Sequence, residues 1–146
     1  MFHVPSAHKV RIAGWATAAA FLLAASPLPT MAQAILGAPA TQSSTDGGVT
    51  VKVTPKSIGP ADGQWEFSVV LDTHSADLSD DLVLSAILTT NDGRTFKPAS
   101  WTGAAPGGHH REGVLAFDAP APRPTSIELR IVRPGESAPR IFQWQL

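Results

Sequence analysis

From Val49 onward, apolar and polar residues alternate with period two, and this alternation commits the chain to strands. Val49, Val51 and Val53 alternate with Thr50, Lys52 and Thr54, and Trp65, Phe67, Val69 and Leu71 alternate with Glu66, Ser68 and Val70. Leu82, Leu84, Ala86 and Leu88 follow the same rule, as do Ile127, Leu129 and Ile131 against Glu128 and Arg130. Successive strand side chains point to opposite faces, so each run lays one face on a core and turns the other to water. Shorter candidates are 95–101, 111–117 and 139–146, the last with Phe142, Trp144 and Leu146 on one side.

Turn chemistry separates these runs. Ile58-Gly59-Pro60-Ala61-Asp62-Gly63, Asn91-Asp92-Gly93, the stretch from Ala119 to Pro124, and Pro134-Gly135-Glu136 all interrupt the alternation. Asn, Asp and Gly tolerate the positive φ of tight hairpins, which makes 91–93 the sharpest of these signals. Pro98 cannot donate to a ladder, so its strand is expected at an edge or with a bulge. About seven short strands at this spacing, with no long helical period, predict an antiparallel immunoglobulin-like β-sandwich over 49–146. There is no Cys–Trp–Cys signature, so the statement concerns architecture only. A single helical turn is expected to start at Ser79 and Asp80, with a strand resuming at Asp81.

Residues 1–34 have a different character. Lys9 and Arg11 precede an apolar run from Ile12 to Ala25, then come Pro27, Pro29 and Met31-Ala32-Gln33-Ala34. A positive start, a hydrophobic stretch and a small-x-small site describe a cleavable signal peptide. The run is shorter than the roughly 20 apolar residues of a spanning helix. Cleavage after Ala34 leaves a chain with no membrane span, exported to the periplasm or secreted. Residues 35–48, ILGAPATQSSTDGG, lack apolar period and read as a flexible linker.

Composition narrows the function classes. With no Cys, the chain has no disulfide, thiolate metal site, iron–sulfur cluster or thiol nucleophile. Two of the 11 Lys and Arg leave with the leader, so nine face 12 acidic residues. A mildly acidic domain without a basic stripe does not read as a nucleic-acid binder, and no amphipathic basic segment suits a membrane surface. Arg111 and Glu112 read as an exposed strand start, and Trp101 as core or rim.

Of the five histidines, His3 and His8 lie in the leader; His74, His109 and His110 remain. In an antiparallel sandwich each strand carries the chain to the opposite end, so the loops after the second, fourth and sixth strands share an end. These are 73–80, 102–110 and 133–138. All three histidines, with Asp72, Asp77, Asp80 and Asp81 near them, are thus expected at one end, where loops on a rigid scaffold commonly bind. Imidazoles with a carboxylate suit Zn or Cu(II), which makes His74, His109, His110, Asp72 and Asp77 the candidate metal ligands. His109 and His110 would point to opposite faces of a regular strand; serving one ion requires an irregular loop, which Gly107 and Gly108 allow. The alternative is that these histidines only fix loop conformations. The aspartates do not follow a calcium-loop pattern, and Ser75 beside His74 is adjacency without a nucleophile elbow.

Val53-Thr54-Pro55, Leu71-Asp72-Thr73-His74-Ser75, Asp81-Leu82, Trp101, Gly107-Gly108-His109-His110, Gly113-Val114-Leu115 and Phe142-Gln143-Trp144 are spread over 51–144, a segment that makes up most of the mature chain. In these motifs the chain resembles uncharacterised small exported β-sandwich domains of bacteria and archaea. The resemblance implies a sandwich fold and carries no catalytic or binding assignment.

The expected function is an extracytoplasmic binding or accessory module, with Zn or Cu at the histidine end as its candidate ligand. The alternatives are a protein-interaction domain without a small ligand, whose partner would be another envelope protein, and a small hydrolase. The scaffold offers loops but no acid–base or nucleophile constellation, so a non-enzyme is expected.

Overall fold

The alternating runs form strands because their β-branched and aromatic residues fit a pleated surface buried on one side. In chain order the elements are β1 (Gln42–Asp46), β2 (Val49–Ser57), β3 (Gln64–Thr73), α1 (Leu82–Ser85), β4 (Ala86–Thr90), β5 (Thr95–Phe96), β6 (Ser100–Gly103), β7 (His110–Asp118), β8 (Ser126–Ile131) and β9 (Arg140–Gln145). This computed structural model describes residues 39–146; the expected leader 1–34 and residues 35–38 lie outside the described residues. Two antiparallel sheets form a β-sandwich. One, of five strands, has the order β1-β2-β3-β7-β6; the other, of four, has the order β5-β4-β8-β9. No helix among the described residues is long and apolar enough to cross a membrane.

The inward phases meet as the alternation requires. Val49, Val51 and Val53 of β2, Trp65 to Leu71 of β3, Leu115 and Phe117 of β7, Ile127 to Ile131 of β8, and Phe142 and Trp144 of β9 form one buried cluster. Phe67 sits at its centre, edge-on to Phe117 with ring centroids 5.7 Å apart and 5.6 Å from Trp144. Aromatic contacts of this kind add directional preference to the burial itself.

The structure differs from the sequence reading in three places, and the second and third raise the strand count from about seven to nine. First, 82–88 is not one strand. The Asp81 carboxylate accepts from the backbone N–H groups of Val83 and Leu84 at 3.0 and 3.2 Å, capping a single helical turn before β4 begins. The expected turn exists, but starts beyond Ser79 and Asp80. Second, 95–101 divides at Pro98: β5 is the edge of one sheet and β6 the edge of the other. The prolyl ring cannot continue a ladder, and there the chain changes sheets. Third, Gln42–Asp46, assigned above to the flexible linker, pairs along its length with β2, from Gln42 opposite Val53 to Asp46 opposite Val49. Gly47 and Gly48 turn this hairpin at φ of 53° and 74°, the positive values that a two-residue primed turn requires.

Candidate functional site

The parity expectation brings the right loops together. The backbone N–H of Thr73 donates to the His109 carbonyl at 2.9 Å, and that of Gly107 to the Leu78 carbonyl at 2.9 Å. The 133–138 loop reaches the same end through Arg133. Residues 95–103 cross the sandwich once although they change sheets, so the count of traverses is preserved.

Within this end, only two of the five expected metal ligands touch. Asp72, near the end of β3, lies opposite His110 at the start of β7, and the imidazole Nδ1 is 2.6 Å from the Asp72 carboxylate. Lys52 Nζ lies 3.8 Å from the same carboxylate and Glu112 3.8 Å from His110 Nε2, so a row of alternating charge crosses this exposed face. The hydrogen bond to Asp72 holds the His110 imidazole above its ordinary value of 6.5, and the same bond lowers Asp72 below its ordinary 3.8. His74, His109 and Asp77 are exposed side chains of the neighbouring loops. Among the described residues, no group of three or more histidine, aspartate or glutamate side chains is arranged to hold a metal ion. The expected Zn or Cu set is therefore not assembled: Gly107 and Gly108 adopt positive φ as the irregular loop requires, yet His110 enters β7 and turns to Asp72. The Ser75 backbone N–H donates to Thr73 Oγ1 at 3.2 Å, in a local turn.

What ties this end together was not expected. Arg111, read from sequence as exposed, is 1% exposed. Its guanidinium donates to the carbonyls of Leu78 and Asp80 at 3.0 and 2.7 Å and lies 5.7 Å from the Trp101 ring. Asp80, fully buried, accepts Arg133 in a two-pronged pair at 2.9 and 3.0 Å. Arg133 continues to Glu136 at 2.8 Å, and Glu136 accepts Arg140 at 2.6 Å. Arg140 then donates to Ser44 Oγ and the Asp46 carbonyl of β1. One buried chain of charges thus stitches both sheets. The sequence signal was phase: Arg111 shares the inward parity of Leu115 and Phe117, Arg133 that of Leu129 and Ile131, and Arg140 that of Phe142 and Trp144.

The outer faces of the two sheets differ in kind. On the five-stranded sheet the outward residues include Thr50, Lys52, Ser68, Asp72, His110 and Glu112, with no large exposed hydrophobic side chain. The four-stranded sheet and its flanking turn carry all four exposed large hydrophobic side chains found among the described residues. These are Leu84 at 81%, Val132 at 54%, Ile141 at 45% and Ile87 at 39% exposure. Ile87, Arg130 and Ile141 form one cross-strand row. Above it, the Val132 N–H bonds to the Ser85 carbonyl, and Leu84, Ser85, Val132 and Pro134 line a shallow hollow. The row below holds Thr89, Glu128 and Gln143. Glu128 is paired with Arg130 and accepts from Gln143 at 2.6 Å, so the charges of this face cancel within it. Sequence reasoning missed the face because Leu84 has the parity of a core strand, while the helical turn at 82–85 swings it outward. Ile87, Val132 and Ile141 were legible as apolar residues in the outward phase.

Comparison with family models, curated proteins and solved structures finds no match of any of the three kinds.

Proposed function

We propose that this chain is an exported accessory module that binds another envelope protein through the outer face of its four-stranded sheet. The observation that carries the reading is the segregation of exposed apolar side chains: Leu84, Ile87, Val132 and Ile141 all belong to the four-stranded sheet and its flanking turns, with Arg130 between the two isoleucines, and the outer face of the other sheet exposes no large hydrophobic side chain. Single exposed apolar residues need no explanation, but a contiguous group rimmed by polar residues marks an interaction surface. The partner is a folded protein offering an apolar, uncharged surface. Arg130 and Glu128 already neutralise each other, so a charged partner surface would gain nothing over water. The histidine end supplies one imidazole close to carboxylates, that of His110 beside Asp72 and Glu112, fewer nitrogen donors than a histidine zinc site uses, which ranks the protein-binding reading ahead of the metal-binding one. Export rests on the leader pattern of residues 1–34.

Site-specific photo-crosslinking in the intact envelope tests this reading. A photoreactive side chain replacing Val132 or Ile141 is expected to trap one discrete heterologous adduct. The same group replacing Lys52, on the opposite face, is expected to trap none of it. Equal yields from both faces, a homodimer adduct only, or no adduct from Val132 and Ile141 would overturn the proposal.

A further inference from the structure

The edge strand β1 is built unlike the other long strands. Its side chains, Gln42, Ser43, Ser44, Thr45 and Asp46, include none that is apolar. It contributes nothing to the core it covers and is held by hydrogen bonds alone. It also serves two sheets at once. Its backbone pairs with β2, while its side chains close the free edge of β9. The Gln42 amide imitates a strand neighbour: its Oε1 accepts the Gln143 N–H at 3.0 Å and its Nε2 donates to the Gln143 carbonyl. Trp144 Nε1 donates to the Ala40 carbonyl at 2.7 Å, and Arg140 donates to Ser44 Oγ at 3.1 Å and to the Asp46 carbonyl at 2.7 Å. Such an edge, left open, is a template for another strand.

We infer that the seam between β2 and β9 is a strand-acceptor site, filled here by the chain's own residues 40–46 and exchangeable for the same segment of a second copy. The occupant follows from the chemistry of the seam. A segment that satisfies it must run antiparallel to β2, place a side-chain amide opposite Gln143, and offer carbonyls to the Trp144 indole and the Arg140 guanidinium. Residues 40–46 of another copy meet all these conditions by identity. Leaving breaks the ladder to β2 and strips acceptors from Arg140 and Trp144, but a second copy's segment remakes each of these contacts, so the exchanged and closed forms carry the same bonds. The hinge is suited to exchange: Gly47 and Gly48 close the hairpin at positive φ, and glycine can equally adopt the extended conformation that sends β1 to a neighbour. This site is an edge of the sandwich that shares β9 with the proposed partner-binding face, and the pairing of residues 43 and 52 reports on it from the other sheet.

The chain has no native cysteine, so introduced thiols report pairing without background. Ser43 and Lys52 lie opposite each other and are both exposed. The chain is expressed in full, so that any processing of its N-terminus occurs, as Ser43→Cys and separately as Lys52→Cys. The two products are mixed, incubated and oxidised. Strand exchange is expected to give a disulfide-linked heterodimer whose yield rises with concentration. A partner carrying Lys56→Cys, beyond the paired register, is expected to give several-fold less. Adding Gly47→Asn, which favours the closed turn and has open space for its side chain, is expected to lower the yield. The Ser43→Cys/Lys52→Cys double variant is expected to form an intramolecular disulfide when dilute. Heterodimer yields no higher with Lys52→Cys than with Lys56→Cys, or a double variant that fails to close, would overturn the inference.

Discussion

Asp80 and Arg133 face each other as a two-pronged ion pair sealed from solvent, with nitrogen–oxygen distances of 2.9 and 3.0 Å. The Asp80 backbone carbonyl simultaneously accepts Arg111 at 2.7 Å, so one residue joins the 73–80 loop to both sheets. Breaking a buried pair costs about 3–5 kcal/mol, and without Asp80 the buried Arg133 keeps only Glu136 as a carboxylate partner. Asp80→Ala is therefore expected to lower unfolding free energy by that amount. Urea denaturation checks this through the shift in midpoint. A variant within about 0.5 kcal/mol of the parent, the range of ordinary surface changes, would show that the pair is not sealed.

Glu136 links Arg133 to Arg140, and its hydrogen bond to Arg140 is the main reason its carboxyl is held below the ordinary value of 4.5. A carboxyl depressed in the folded state stabilises fully above its unfolded value and loses that contribution as pH falls through the folded one. Stability is expected to decline with acidification from about pH 4.5 downward. Glu136→Gln is expected to be less stable at neutral pH and to show a shallower acid decline. Thermal melts across that range measure both slopes.

Trp101 lies across two glycines. Gly103 of β6 pairs with Gly113 of β7, and a Cβ at Gly113 would sit 2.6 Å from the Trp101 ring and 2.7 Å from Gly103 Cα. No rotamer relieves a backbone clash of that kind. Gly113→Ala is expected to cost about 1–3 kcal/mol through overpacking and to displace the indole from Arg111. Chemical denaturation together with a shift in tryptophan emission reports both effects.

The His110–Asp72 pair is exposed, so its effect appears as titration more than as stability. The hydrogen bond that the imidazole donates to Asp72 raises it above 6.5, and this contribution is present below 6.5 and lost as pH rises through the folded value. An NMR titration of His110 is expected to give a midpoint above 6.5 that falls back toward it in Asp72→Asn. An unchanged midpoint would mean the contact does not persist in solution.

The fold was legible wherever apolar residues kept strict parity, as in Val49–Val53 and Trp65–Leu71. It was misread where parity survived without its usual cause. Leu82, Leu84, Ala86 and Leu88 alternate like a strand, but the Asp81 cap nucleates a turn beneath the first two. β1 was unreadable by period, since its pairing depends on backbone bonds and on the Gln42 amide, neither of which leaves an apolar pattern. At the candidate site, parity correctly gathered the histidine loops, yet it does not determine which side chains meet. Arg111 was read as surface because charge was weighed above phase. Arg111, Arg133 and Arg140 all sit on the core parity of their strands, which is a signal that a buried ion network is needed.

The central claim is that the Leu84–Val132 face binds a protein partner. Its most direct measurement is quantitative capture from the native envelope by the parent chain, by Leu84→Glu/Val132→Glu, and by Lys52→Glu on the opposite face. All three positions are exposed, so each variant is expected to fold with stability within about 0.5 kcal/mol of the parent. The account predicts that one protein recovered with the parent and with Lys52→Glu is depleted at least tenfold with the Leu84→Glu/Val132→Glu variant. Equal recovery with all three chains, or loss with Lys52→Glu instead, would contradict it.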